Sequence, residues 1–207
     1  MNMNSLRSAD AALAALSAGN ARFRAGLASE EHRSPARRLE TFERGQSPIA
    51  TVLACSDSRC PVELIFGQGI GDLFVVRVGG NMADSAGIGT IEFAVRDVGT
   101  PLLVVLGHTG CAAVMAAVEG RRADGAFGRL LEQLAPARLM ALEQNPHLEG
   151  QELVLAAIRM NIWRSIDTLR DGSSVIREAE ASGALRIVGA LYDMREGTVA
   201  WLEGRAV

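Results

Sequence analysis

Four short stretches of the chain are mostly apolar, with runs of successive apolar residues rather than alternation: Ile49–Ala54, Asp72–Val78, Leu102–Leu106 and Leu185–Tyr192. Each is bounded by Gly, Pro or polar residues and is too short for an ordinary helix. Runs of this kind read as strands covered on both faces, the arrangement of a parallel sheet. Between them the period changes. Ala86–Val98 carries Ile88, Ile91 and Val95 at separations of three and four, and Thr100-Pro101 ends it. Cys111–Glu119 is an alanine-rich helix stopped by Gly120, and from Gln151 to Arg170 the set Leu155, Ile158, Ile162, Ile166 and Leu169 holds one helical face. Pro61 suits the first position of a short helix reaching Phe66, and Ser174–Ala181 forms another. Glu196-Gly197 turns the fourth strand into Thr198–Leu202, an antiparallel edge. The alternation predicts an α/β fold with a mainly parallel central sheet, an antiparallel edge strand and helices on both faces.

The flanks are less regular. Ser8 can cap a helix whose apolar members include Leu13, Leu16 and Phe23, read here as an amphipathic arm rather than a core element. Glu30 to Gln46 reads as a charged connection with one helical turn around Arg37–Phe42. Residues 1–44 are thus predicted as an N-terminal helical arm and 45–207 as the α/β domain that carries the chemistry. Residues 121–150 read as an irregular connection with one helix near Leu130–Leu142.

Composition narrows the function classes. The 207 residues suffice for one domain with a sizeable core, and 48% hydrophobic with 22% charged residues is ordinary for a globular protein. A net charge of −3 without a dense Lys/Arg cluster argues against nucleic acid. No run approaches ~18 strongly apolar residues, so no membrane span is expected. Three cysteines cannot all pair and are too few for a secreted disulfide framework, which points to reduced thiols and a cytoplasmic protein. Ala11–Ala18 resembles a leader only weakly: it is mostly alanine, borders Asp10, and has Arg7 as its one upstream cation.

Candidate chemistry gathers at strand ends, where open α/β sheets bind ligands. The first strand stops abruptly in Cys55-Ser-Asp57-Ser-Arg59, and the third runs into Gly107, His108 and Cys111. Two buried strands, each delivering soft ligands at its carboxyl end, predict one shared metal site of Cys55, His108 and Cys111. Three protein ligands with one open position describe a catalytic zinc. The competing reading is of two small core cysteines and a locally bonded histidine. Asp57 and Arg59, two residues apart in an extended turn, can project to one side as a bidentate pair. An Asp held by Arg stays ionised and can only accept hydrogen bonds, so beside the metal it would orient the proton of the attacking water. A loop-stabilising ion pair is the plainer alternative. Cys60 before Pro61 reads as a packing residue with a minor claim to redox chemistry, and His32 and His147 as surface residues.

With these residues in place the chain resembles the β-class carbonic anhydrases. The resemblance rests on Ala54-Cys-Ser-Asp-Ser-Arg59, Gly71-Asp-Leu-Phe-Val-Val-Arg77, Ile91-Glu-Phe-Ala-Val95, Gly107-His-Thr-Gly-Cys111 and Ile187-Val-Gly-Ala-Leu-Tyr-Asp193. It implies reversible hydration of CO2 to bicarbonate at zinc (Zn2+) held by Cys55, His108 and Cys111, with Asp57 and Arg59 as the catalytic dyad. It implies that Gln46 contacts bicarbonate and that Phe74 and Phe93 line an apolar CO2 pocket; relatives often carry Tyr where Phe93 stands. It further implies a homodimer or dimer of dimers with clefts lined from both chains, the N-terminal segment packing on the neighbour. Asp57 could leave Arg59 and become a fourth zinc ligand in a closed state; the open arrangement is the expected one. Two other functions fit the same ligand set: hydrolysis of a CO2 analogue such as carbonyl sulfide or carbon disulfide, and a zinc-binding module without turnover.

Overall fold

The computed structural model describes residues 8–27 and 31–205; Arg7 and Glu30 lie outside them. Five strands form one sheet: β1 (Ala50–Ala54), β2 (Leu73–Arg77), β3 (Leu102–His108), β4 (Arg186–Tyr192) and β5 (Val199–Leu202), in the order β2-β1-β3-β4-β5. The first four are parallel, and β5 pairs antiparallel with β4 along the edge. Every residue of β1 and β3 is buried, as their unbroken apolar runs require. Odd and even positions feed two separate cores. Leu53, Leu103 and Val105 point to one layer, and Val52, Leu102, Val104 and Leu106 to the other. Burying each such aliphatic side chain stabilises the fold by about 1.5–3 kcal/mol before entropy is counted.

The layers are unequal. One face carries α1 (Ala9–Arg24) and the short α3 (Val62–Ile65), whose Leu16, Val62 and Ile65 are fully buried. The other carries α4 (Ser85–Phe93) with a π-helical last turn at Ala94–Val98, α5 (Ala112–Val118), and α8 (Gly150–Gly172) with α9 (Ser174–Ala181). In α8 the buried stripe is Leu153, Ile158, Ile162, Ile166 and Leu169; Leu155 points outward, 37% exposed.

Three expectations need correction. The N-terminal helix is not a free arm. Ala12 and Leu16 are fully buried within their own chain, and the amide of Asn20 bonds the carbonyls of Ile65 and Gly197 while its oxygen accepts from the Val199 N–H. The approach of α1 to α3 needs Gly19, because a Cβ there would stand 1.7 Å from the Phe66 carbonyl oxygen. Residues 121–150 hold two helices, α6 (Gly125–Leu134) and α7 (Pro136–Gln144), rather than one. Pro136 lacks an N–H to continue the first helix and opens the second. The turn expected at Arg37–Phe42 is a full helix, α2 (Pro35–Arg44), capped by Ser34. It buries no residue; Leu39 is 56% and Phe42 86% exposed.

The connections position the site. From β1 the chain passes through α3 on one face to β2, then through α4 on the opposite face to β3 on the far side of β1. The loops leaving the carboxyl ends of β1 and β3 therefore diverge, and a crevice opens between them.

Candidate metal centre

Cys55 directly follows β1, His108 ends β3, and Cys111 caps the start of α5. All three are buried, and one ligand atom from each lies within 4.8 Å of the others. The two sulfurs stand 4.0 Å apart; two thiolates on one tetrahedral zinc stand about 3.8 Å apart. Among the described residues these three form the cluster of metal-binding type, and Asp57 is outside it.

The histidine is oriented for ligation. Its Nδ1 lies 2.9 Å from the Thr109 carbonyl oxygen. That oxygen can only accept, so Nδ1 carries a proton, and loss of the ring's second proton would leave the lone pair on Nε2. Nε2 is buried without a hydrogen-bond partner. A buried ring nitrogen left without a partner costs about 1–3 kcal/mol, and a cation that displaced its proton and bridged it to the two sulfurs would remove that cost. The donor set and spacing fit zinc. The loop is itself tied down, since the Thr109 N–H donates to the Tyr192 carbonyl and Thr109 Oγ1 accepts from the Met194 N–H.

Electrostatics without a cation follow from the crowding of these groups. Cys55 is drawn down to about 4, chiefly by the Cys111 thiol donating to it, with help from His108 and backbone N–H groups and against its burial. Cys111 is pushed up by the Cys55 thiolate beside it and by burial. Burial opposes the His108 cation, but the Cys55 and Cys60 sulfurs outweigh it and raise the imidazole to about 10. A metal-free site thus holds one thiolate and one imidazolium, and metal would have to displace the protons of Cys111 and His108. Cys60, 1% exposed, is a free thiol in the layer below.

The Asp57–Arg59 pair sits at the mouth. Arg59 Nε and Nη2 reach the two carboxylate oxygens at 2.9 and 2.7 Å, and the Arg59 N–H adds a third bond of 2.9 Å to Oδ1. The guanidinium holds the Asp57 carboxyl well below the usual carboxylate range. Arg59 also reaches the Gly110 carbonyl, between His108 and Cys111 in the chain.

Three other residue sets build the site; the first lies within the second predicted strand and Gly80 in the glycine turn that closes it, whereas the helix residues had no sequence signal. Arg77 donates to the Cys55 carbonyl at 2.9 Å and to that of Asp57, clamping the turn from the end of β2. The Gly80 N–H donates to Cys55 Sγ at 3.2 Å. Asn161 and Ser165 of α8 hold the carbonyls of Gly80 and Asn81; both lie in a helix whose apolar stripe alone was legible.

The residues expected to line the substrate pocket are not gathered at the cluster by this chain. Gln46 is exposed in the connection before β1. Phe74 and Phe93 pack on each other with ring centroids 6.1 Å apart, and Phe93 is 49% exposed. Phe74 is opposite Thr51, three residues below the Ala54–Arg77 level where the metal ligands begin, or roughly 10 Å along the strands. His32 is half-exposed and pairs with Asp72, and His147 is exposed.

Comparison with known proteins gives a consistent result. Residues 50–199 match the family model described as carbonic anhydrase. The chain is 38% identical over 191 residues to carbonic anhydrase 2 of Mycobacterium tuberculosis, covering 90% of this chain and 89% of that one. It is 36% identical to a carbonic anhydrase of Mycolicibacterium smegmatis, covering 91% of each. Among solved structures, a tetrameric β-carbonic anhydrase of Sordaria macrospora superposes with a TM-score of 0.75 at 30% identity, covering 93% of this chain and 96% of that one. A β-carbonic anhydrase of Aspergillus fumigatus gives 0.74 at 32% identity, over 94% and 92%.

Proposed function

Because the chain belongs to the β-class carbonic anhydrase family, we propose that it hydrates CO2 reversibly to bicarbonate and a proton at a zinc ion held by Cys55, His108 and Cys111. The observation that carries this reading is the bare, buried Nε2 of His108 beside two thiols at zinc-ligand spacing. When bound, zinc would act as a Lewis acid on one water molecule; two thiolates cancel its formal charge, so that water ionises above the pH of ~7 typical of three-histidine sites.

The remaining work falls to the chain's own groups. Arg59 keeps Asp57 ionised and fixes its plane, so the carboxylate can only accept. It therefore orients the proton of the incoming water and leaves the oxygen lone pair free toward the carbon of CO2. Arg77 holds the carbonyls on either side of this turn, so the dyad keeps its place relative to Cys55. CO2, without charge or dipole, needs an apolar wall, and bicarbonate needs a donor. We assign these roles to Phe74 with Phe93 and to the Gln46 amide.

Those three residues lie away from the metal ligands within one chain, which supports a homodimer whose second copy completes the cleft. The exposed Leu39 and Phe42 of α2 and the exposed Phe93 are its apolar contact candidates. The docked α1 is not available for that purpose through Leu16. No helix among the described residues is long and apolar enough to cross a membrane. Three free thiols support a reducing, cytoplasmic setting.

The test is stopped-flow CO2 hydration on protein whose zinc has been quantified. Turnover in proportion to zinc, rising from neutral into alkaline pH, is the expected result. Zinc-loaded protein that hydrolyses carbonyl sulfide but does not hydrate CO2 would replace this reading with the analogue hydrolase. Absence of both activities would leave the non-catalytic zinc module.

A further inference from the structure

The Cys55 sulfur accepts a hydrogen bond from the Gly80 N–H, and this peptide belongs to a turn with an unusual backbone. Gly80 has φ +67°, and the next residue, Asn81, is the one non-glycine with positive φ among the described residues, at +47°. Such a conformation persists only where the surroundings fix it. Leu134 of α6 closes off the side of Gly80, where an added Cβ would come within 2.9 Å of its methyl group. Helix α8 also reaches this turn. Asn161 Nδ2 donates to the Gly80 carbonyl at 2.6 Å, and Ser165 Oγ donates to the Asn81 carbonyl at 3.0 Å. Both side chains are buried, Asn161 at 1% and Ser165 at 3% exposure, inside an otherwise apolar helical face. Two polar residues one turn apart in that face cost desolvation, which simple packing would avoid.

We propose that Asn161, with Ser165, is a positioning residue for the metal centre: it locks the Gly80–Asn81 turn so that the Gly80 N–H stays on the Cys55 sulfur. This inference rests on Cys55 being a metal ligand. An N–H directed at a thiolate lowers the energy of its lone pairs and fixes its direction, so the ligand's donor strength depends on a helix that never touches the metal. Arg77 secures the carbonyl of the same cysteine, and Gly80 its sulfur.

The experiment uses the full chain loaded with cobalt(II) in place of zinc. Wild-type protein should show a thiolate-to-cobalt charge-transfer band; its absence would overturn the metal-site reading itself. In Asn161→Ala the band should move to longer wavelength, because the thiolate loses its hydrogen bond, and zinc affinity in chelator competition should fall about 10-fold or more. Leu169→Ala, which removes buried apolar bulk from the same helix away from the turn, should lower thermal stability but move neither readout. Asn161→Gln, which keeps the amide donor, should restore part of both. A folded Asn161→Ala with wild-type band position and zinc affinity would overturn the proposal. Should Asn161→Ala fail to fold, Ser165→Ala decides: a smaller shift in the same direction supports the proposal, and an unmoved band refutes it.

Discussion

The carboxyl ends of β1 and β3 and the region around α2, Phe74 and Phe93 are built on opposite plans. At the strand ends every proposed ligand is buried and supplied by one chain, and Cys55 and His108 are oriented by backbone contacts. Around α2 the apolar residues are exposed, and Phe74, one of the proposed substrate contacts, lies roughly 10 Å along the strands from the Ala54–Arg77 level that Cys55 follows. A metal site demands fixed donors at short range, which adjacent parallel strands supply through their register. A pocket for a small apolar gas requires only a wall, and a second copy can bring it. The difference predicts that damage to the first region removes metal, whereas damage to the second spares metal and affects assembly or substrate.

The largest effect should come from the ligands. Cys55→Ser combined with Cys111→Ser should take zinc from about one per chain to under ~0.1, with activity lost in parallel. Full zinc occupancy in that double variant, measured by atomic emission, would break the comparison outright. Next comes the dyad. Asp57→Asn should lower CO2 hydration about 100-fold while zinc content stays near wild type, since Asp57 lies outside the ligand cluster. Loss of zinc in step with activity would make Asp57 a ligand and merge the two roles.

On the exposed side, Phe42→Glu should weaken self-association about 30-fold or more and reduce activity per zinc without releasing metal. Light scattering and zinc analysis on one preparation distinguish this from a folding defect; a wild-type protein already monomeric at micromolar concentration would remove the dimer from the argument. The smallest effect concerns protons. Cys55, drawn down to about 4, is already ionised at neutral pH, whereas His108, raised to about 10, and Cys111, raised further, both carry protons. Zinc binding must release about two protons, so the logarithm of affinity should climb about two per pH unit between about pH 5 and 9. Calorimetric titration in buffers of different ionisation enthalpy measures that release directly. A release near zero would mean that the apo site is already deprotonated and that the crowding argument fails.

Legibility followed the range of the interaction. His108, Cys111, Cys55, Asp57 and Arg59 lie at most five residues past a strand signal, so local pattern placed them. The burial of Leu16 is not legible in the sequence, because the Leu13, Leu16 and Phe23 spacing shows that a helix has an apolar face, not what covers it. The cover is α3 and the sheet of the same chain, admitted by Gly19 and fastened by Asn20. Asn161 and Ser165 were invisible for a related reason. A polar residue in an apolar stripe acquires meaning only when its partner, here a turn some eighty residues earlier, is known.

The sequence by itself determined the parallel strands, the five residues at their ends and the helices α3, α4, α5, α8 and α9, because hydrophobic period and turn chemistry are local properties. Tertiary structure alone decided which face α1 covers, the hand-over of Cys55 to the Gly80 amide, and the orphaned Nε2 of His108. These depend on backbone groups brought together across the sheet, where hydrogen-bond geometry rather than residue type makes the choice.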